Sequence, residues 1–119
     1  MSEQTVFRAA IPKQAALNIA NSVSFYVQRL GFTELFQAED YAGVRRGEVE
    51  VHLWLCDDKN IPEKTACRVH IENIEPLYEE YQGEGVIHPH SSLQETPWGT
   101  KEFTILDLDG NGITFFESL

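Results

Sequence analysis

At 119 residues, with 42% hydrophobic and 24% charged side chains, the chain has the size and composition of one folded globular unit. Nine basic residues against nineteen acidic ones give a formal charge of −10, which argues against nucleic acid, whose phosphates need a basic patch, and instead favours a cationic ligand. No apolar run reaches the length of a membrane span, and Met1-Ser2-Glu3-Gln4-Thr5 lacks the features of a signal peptide, so no membrane partner and a cytoplasmic location are expected.

Phe7 to Ile11 reads as a first strand, limited by Pro12. Asn18 to Ser22 offers helix N-cap residues, and Val23, Tyr26, Val27 and Leu30 recur at helical spacing over Ser22 to Leu30, with Gly31 as the stop. Phe32 to Ala38 reads as extended. Tyr41 to Arg46 and Val49 to Leu55 read as strands joined by a tight turn at Arg46-Gly47-Glu48. The polar stretch Asp57 to Lys64 is a mid-chain boundary. Cys67 to Ile71 is a strand, and Ile74 to Gln82 a helix with Leu77, Tyr78 and Tyr81 on one face, stopped by Gly83 and Gly85. Val86 to His88 is a short extended piece, and Pro89 to Gly99 a long loop. The end is a hairpin in which Phe103, Ile105, Ile113 and Phe115 form an apolar face around Asp109-Gly110-Asn111-Gly112, residues that tolerate positive φ.

The order is β-α-β-β-β twice, at about residues 5–57 and 65–119, within a single α+β domain. Two such units bury one face of each sheet under helices and curl the other faces into a cup. The two hairpins and the lack of a glycine-rich phosphate loop argue against a doubly wound parallel sheet.

Alternation sorts the strand Val49 to Leu55 into an apolar face and a second face of Glu50, His52 and Trp54, an acid, an imidazole and an indole in a row. That second face reads as a binding surface or, for Trp54, as part of a dimer interface. Arg68, His70, Thr114 and Phe116 join the same cup from the second repeat. His52 and His70, with Glu50 or Glu102 near, invite a metal hypothesis, but a metal site needs three or four ligands converging on one point. His88-Pro89-His90 lies around a proline, where exposure is the default. No nucleophile motif is present, and Cys56 and Cys67 read as buried free thiols without zinc or redox spacing.

Ser22-Val23-Ser24-Phe25-Tyr26, Arg29-Leu30-Gly31-Phe32 and Asp107-Leu108-Asp109-Gly110-Asn111 resemble the paired signatures of the glyoxalase, bleomycin-resistance and extradiol-dioxygenase superfamily. The resemblance covers nearly the whole chain and implies a vicinal-oxygen-chelate cup. Within that superfamily the chain is most similar to bleomycin-resistance proteins, through Ala10-Ile11-Pro12, Tyr41-Ala42-Gly43-Val44, Val51-His52-Leu53-Trp54 and Pro97-Trp98-Gly99 ahead of Glu102-Phe103, with His88-Pro89 and Ser91-Ser92-Leu93 in support. Carried over by position, the ligand points of metal-dependent members fall on Ile11, His52, Ala66 and Thr114, of which only His52 can bind a metal. The resemblance therefore implies no metal, no other cofactor and no catalytic residue. It implies a homodimer, swapped in the sense of exchanging a segment between copies, with two crevices at its interface that hold a bleomycin-type drug away from DNA without changing it. Trp98 matches the residue that stacks on the drug's bithiazole, and Phe36 and Tyr41 match aromatics of the opposing wall. Trp54, His52, Glu50, Glu102 and Thr114 complete the expected binding set. The alternatives are a metal-dependent lyase or dioxygenase built on His52 with His70 or Glu50, and a binder of another cationic aromatic compound.

Overall fold

A computed structural model describes residues 3–119. The first repeat runs β1 (Lys13–Ala16), α1 (Ile19–Gln28), β2 (Thr33–Gln37), β3 (Tyr41–Arg46) and β4 (Val49–Leu55). The second runs β5 (Ala66–His70), α2 (Ile74–Glu84), β6 (Gln94–Glu95), β7 (Thr100–Leu106) and β8 (Gly112–Ser118). Each repeat makes a four-stranded mixed sheet, ordered β1-β4-β3-β2 and β5-β8-β7-β6. In each, the first strand pairs parallel with the last and the remaining pairs are antiparallel. A parallel pair cannot be closed by a tight turn, so the intervening helix and strands serve as its crossover.

Alternation then divides the faces. Val44, Val51 and Leu53 of the first sheet and Val69, Phe103, Ile105, Ile113 and Phe115 of the second are buried in one cluster with Ile19, Val23 and Tyr26 of α1 and Ile74 and Tyr81 of α2. The opposite faces carry the polar and aromatic residues.

Several boundaries differ from the sequence expectation. The first strand is not Phe7 to Ile11 but Lys13–Ala16. The backbone N–H of His52 donates to the Pro12 carbonyl at 2.9 Å, and the parallel ladder begins there. Ahead of it the chain is exposed and unpaired, with Phe7 96% accessible. Helix α1 starts earlier than Ser22 because Asn18 is its cap, its side chain accepting from the Asn21 N–H at 2.9 Å. Gly83 lies inside α2, and Gly85 alone ends it. The loop ahead of the last hairpin contains β6. In the hairpin turn only Gly110 has positive φ, and Asn111 is fully buried.

That buried asparagine joins the repeats. Asn111 Nδ2 donates to the Ala15 carbonyl at 2.8 Å, and Asn111 Oδ1 accepts from the Ala15 N–H at 3.3 Å. Asn111 Nδ2 also reaches both oxygens of Asp107, which accepts from the Tyr26 hydroxyl at 2.7 Å and from the N–H groups of Asp109, Gly110 and Asn111. Burial raises the Asp107 carboxyl above its ordinary value, against the pull of these donors.

A second link closes the other side. Arg46 holds both carboxylate oxygens of Glu80, at 2.7 and 2.9 Å, and donates to the Leu30 carbonyl at 2.8 Å. Tyr81 donates to that same carbonyl at 2.6 Å. Gly31 has φ +79°, and a Cβ there would stand 2.7 Å from Arg46 Nη1, so glycine is needed for both its conformation and the clamp. Arg46→Ala is expected to cost about 1–3 kcal/mol in denaturant unfolding. The Arg46 hydrogen bond holds the Glu80 carboxyl below the usual carboxylate range. A lowered folded-state pKa gives stability that is present above the ordinary carboxylate pKa and lost as pH falls through the folded value. The gap in melting temperature between the native chain and Arg46→Ala should therefore narrow in acid.

Candidate functional site

Two surfaces carry the chemistry, one on each sheet. On the first, β4 turns Val51 and Leu53 inward and leaves Glu50, His52 and Trp54 half-buried on the other face. Its neighbours set Lys13 and Gly43 opposite His52, and Tyr41 opposite Trp54. Both ring nitrogens of His52 are engaged: Nδ1 lies 2.8 Å from the Tyr41 hydroxyl and Nε2 2.6 Å from Glu50 Oε2. The rings of Phe36 and Tyr41 meet the imidazole edge to face at 5.4 and 5.2 Å, and lie 6.1 Å from each other at 18°. Lys13 Nζ sits 5.6 Å from the Tyr41 ring centre. The His52 hydrogen bond holds the Glu50 carboxyl below its ordinary value, with Arg45 adding a contact at 3.3 Å. The result is an aromatic shelf over a polar, hydrogen-bonded floor.

The shelf depends on a missing side chain. Phe36 pairs with Gly43, and a Cβ at Gly43 would stand 2.4 Å from Phe36 Cε1. Gly43→Ala should push Phe36 off the imidazole at little cost in stability, because the atoms in the way are the far end of an exposed side chain. The check is loss of the nuclear Overhauser contacts between the Phe36 and His52 rings in a variant that still folds.

On the second sheet, Thr114 and Phe116 of β8 lie beside Arg68 and His70 of β5 and Thr104 and Glu102 of β7. His70 stacks on Phe116 at 4.8 Å and 5°, and Arg68 Cζ lies 4.4 Å from the same ring centre. Arg68 reaches Glu102 at 3.1 Å, and the Thr100 hydroxyl donates to Glu102 at 2.8 Å. Burial pushes the Glu102 carboxyl up, but these donors bring it below its ordinary value. Thr114 and Thr104 share a hydroxyl hydrogen bond of 2.7 Å. Trp98 stands in the turn before β7, 67% exposed.

Of the residues named from sequence, Phe36, Tyr41, Glu50 and His52 therefore converge, and Trp54 flanks them in register. Glu102 and Thr114 lie on the other sheet, with Trp98 just ahead of it. Among the described residues, no hydrogen bond or ring contact joins the two groups within one chain. Sequence reasoning missed Lys13, whose strand it placed too early, and the role of Gly43, although a glycine inside a strand is itself a sign of close approach.

A family model described as Glyoxalase/Bleomycin resistance protein/Dioxygenase superfamily matches residues 14–115. The chain belongs to this superfamily. Bleomycin resistance proteins of Geobacillus stearothermophilus and Staphylococcus aureus are 29% identical to it, over 92% of this chain and 96% of theirs. A bleomycin-binding protein from bleomycin-producing Streptomyces verticillus, solved with copper(II)-bleomycin, superposes with a TM-score of 0.83 at 28% identity, covering 94% of this chain and 97% of that one. A bleomycin resistance determinant encoded on a transposon shares the fold, with a TM-score of 0.82 at 18% identity over 94% and 98% of the two chains.

The donor set does not fit the divalent ion that metal-dependent members of the superfamily use. Ile11 lies ahead of β1, so the residue facing His52 is Lys13, and the partner of Thr114 on β5 is Arg68 rather than Ala66. Either set holds one metal-binding side chain, His52, and both its nitrogens already have partners. His88 and His90 stand with ring centres 5.9 Å apart, and the His90 N–H donates to His88 Nδ1. Among the described residues, no three His, Cys, Asp or Glu side chains converge as a metal site requires. Nor is any described helix long and apolar enough to cross a membrane.

Proposed function

We propose that this chain binds a bleomycin-type drug, or a cationic aromatic molecule of similar shape, and holds it without making or breaking a bond. The observation that carries this reading is the likeness, over nearly the whole chain, to a protein of 28% identity whose structure contains copper(II)-bleomycin. The site agrees in chemistry. One sheet offers Phe36, Tyr41, His52, Glu50 and Trp54, and the other offers Trp98, Glu102 and Thr114. When two copies pair, the shelf of one faces Trp98 of its partner, and two crevices result. The exposed segment 3–12, with Val6, Phe7 and Ile11 uncovered, supports pairing by exchange of that arm. Flat rings stack on the aromatics, each contact adding about 0.5–1.5 kcal/mol beyond the area buried. The net charge of −10 draws in a cationic tail, an attraction that salt weakens. No catalytic residue and no metal enter this reading. Its compartment is the cytoplasm, consistent with two free cysteines.

The test is to incubate bleomycin with an equal amount of protein, pass the mixture through a sizing column at low salt and weigh the released drug. The drug should travel with a dimer and leave with unchanged mass. A modified drug would make the protein an enzyme, and a drug that never travels with the protein would remove the reading.

A further inference from the structure

A cavity of about 270 Å³ opens between the repeats and shares no lining residue with either aromatic face. Its walls are Phe32, Val49, Val69, Ile71, Leu77 and Phe115, contributed by both repeats and by α2. A dry cavity of about 150 Å³ suffices for a benzene ring, so this one has room for about one fused pair of rings. Its mouth is charged. Arg46 and Glu80 stand there but neutralise each other through their paired hydrogen bonds. Glu72 stands there too, and an adjoining groove that shares Arg46, Val49, Ile71 and Glu72 adds Glu48 and His70. Neither Glu48 nor Glu72 has an ion-pair partner among the described residues. An apolar chamber with one uncompensated carboxylate at its entrance and a second in the adjoining groove selects for a cation with an apolar body and against an anion of the same shape.

We propose that this inter-repeat cavity is a second binding site, for a small aromatic amine whose ring enters the chamber and whose ammonium group stays at the mouth near Glu72 and Glu48. The proposal does not depend on the drug-binding reading, because the chamber itself shares no residue with the aromatic faces.

The experiment is a titration of the isotope-labelled full chain with 2-naphthylmethylamine, followed by amide chemical shifts. Saturable shifts are expected at Val49, Ile71, Glu72 and Leu77, with a Kd below about 1 mM. The isosteric anion 2-naphthoate should bind about tenfold more weakly or worse. Leu77→Trp, which fills the chamber from a half-buried wall position, should weaken the amine by about tenfold or more. Glu72→Gln, an exposed change that leaves the fold untouched, should bring the affinity of the amine toward that of the naphthoate, and it decides the matter if Leu77→Trp does not fold. Absence of saturable shifts at about 1 mM amine would overturn the proposal. So would shifts centred on Tyr41, His52 and Trp98, equal binding of amine and naphthoate, or unchanged amine binding in Leu77→Trp and Glu72→Gln.

Discussion

Asp107→Ala should lower stability by about 3 kcal/mol or more, and the melting temperature by roughly 10 °C or more, as measured by denaturant and thermal unfolding. The carboxylate accepts from the Tyr26 hydroxyl, the Asn111 side chain and three backbone N–H groups, and its residue is only 5% exposed. Alanine removes the acceptor and leaves the Tyr26 hydroxyl and the Asn111 N–H groups, both in fully buried residues, without it. The damage extends beyond the turn, because Asn111 also clasps both backbone groups of Ala15 and so fixes β1 against the second repeat. Tyr26→Phe removes one donor together with the need for it, and should cost about 1 kcal/mol. A change at Asp107 as mild as that at Tyr26 would mean that the turn holds its shape without the carboxylate.

Trp98→Ala should behave in the opposite way. The side chain is 67% exposed and absent from the buried cluster, so unfolding should barely change. Bleomycin affinity should fall about tenfold to a hundredfold, the loss expected when an aromatic anchor is truncated in an otherwise intact crevice. The decisive comparison is binding and melting on one preparation. Lost binding with an unchanged melting curve assigns Trp98 to the ligand, whereas a collapsed fold would make it a structural tryptophan.

The sequence displayed some of this directly. Strands β3 and β4 could be placed to the residue because Val49 to Leu55 alternates without a break and Gly47 marks the turn. The same alternation put Glu50, His52 and Trp54 on one face, and the Phe-Tyr and Asp-x-Asp-Gly-Asn signatures pointed to the superfamily. Strand β1 was hidden because Lys-Gln-Ala-Ala has no β-branched residue and no alternation. What makes it a strand is its pairing with β4 and the clasp of Asn111, contacts with residues distant in sequence, 96 positions away in the case of Asn111. The stacking of Phe36 over Gly43, the relay from Tyr41 through His52 to Glu50 and the Arg46–Glu80 clamp are likewise products of register and packing. Composition foretold the residue types, but only the pairing of strands decided which of them meet.

Calorimetric titration of the purified protein with bleomycin at low ionic strength tests the central claim most directly. The account predicts saturable binding of one drug per chain, two per dimer, with a Kd of about 1 μM or tighter that rises steeply with salt. A flat titration at about 1 mM drug would contradict it.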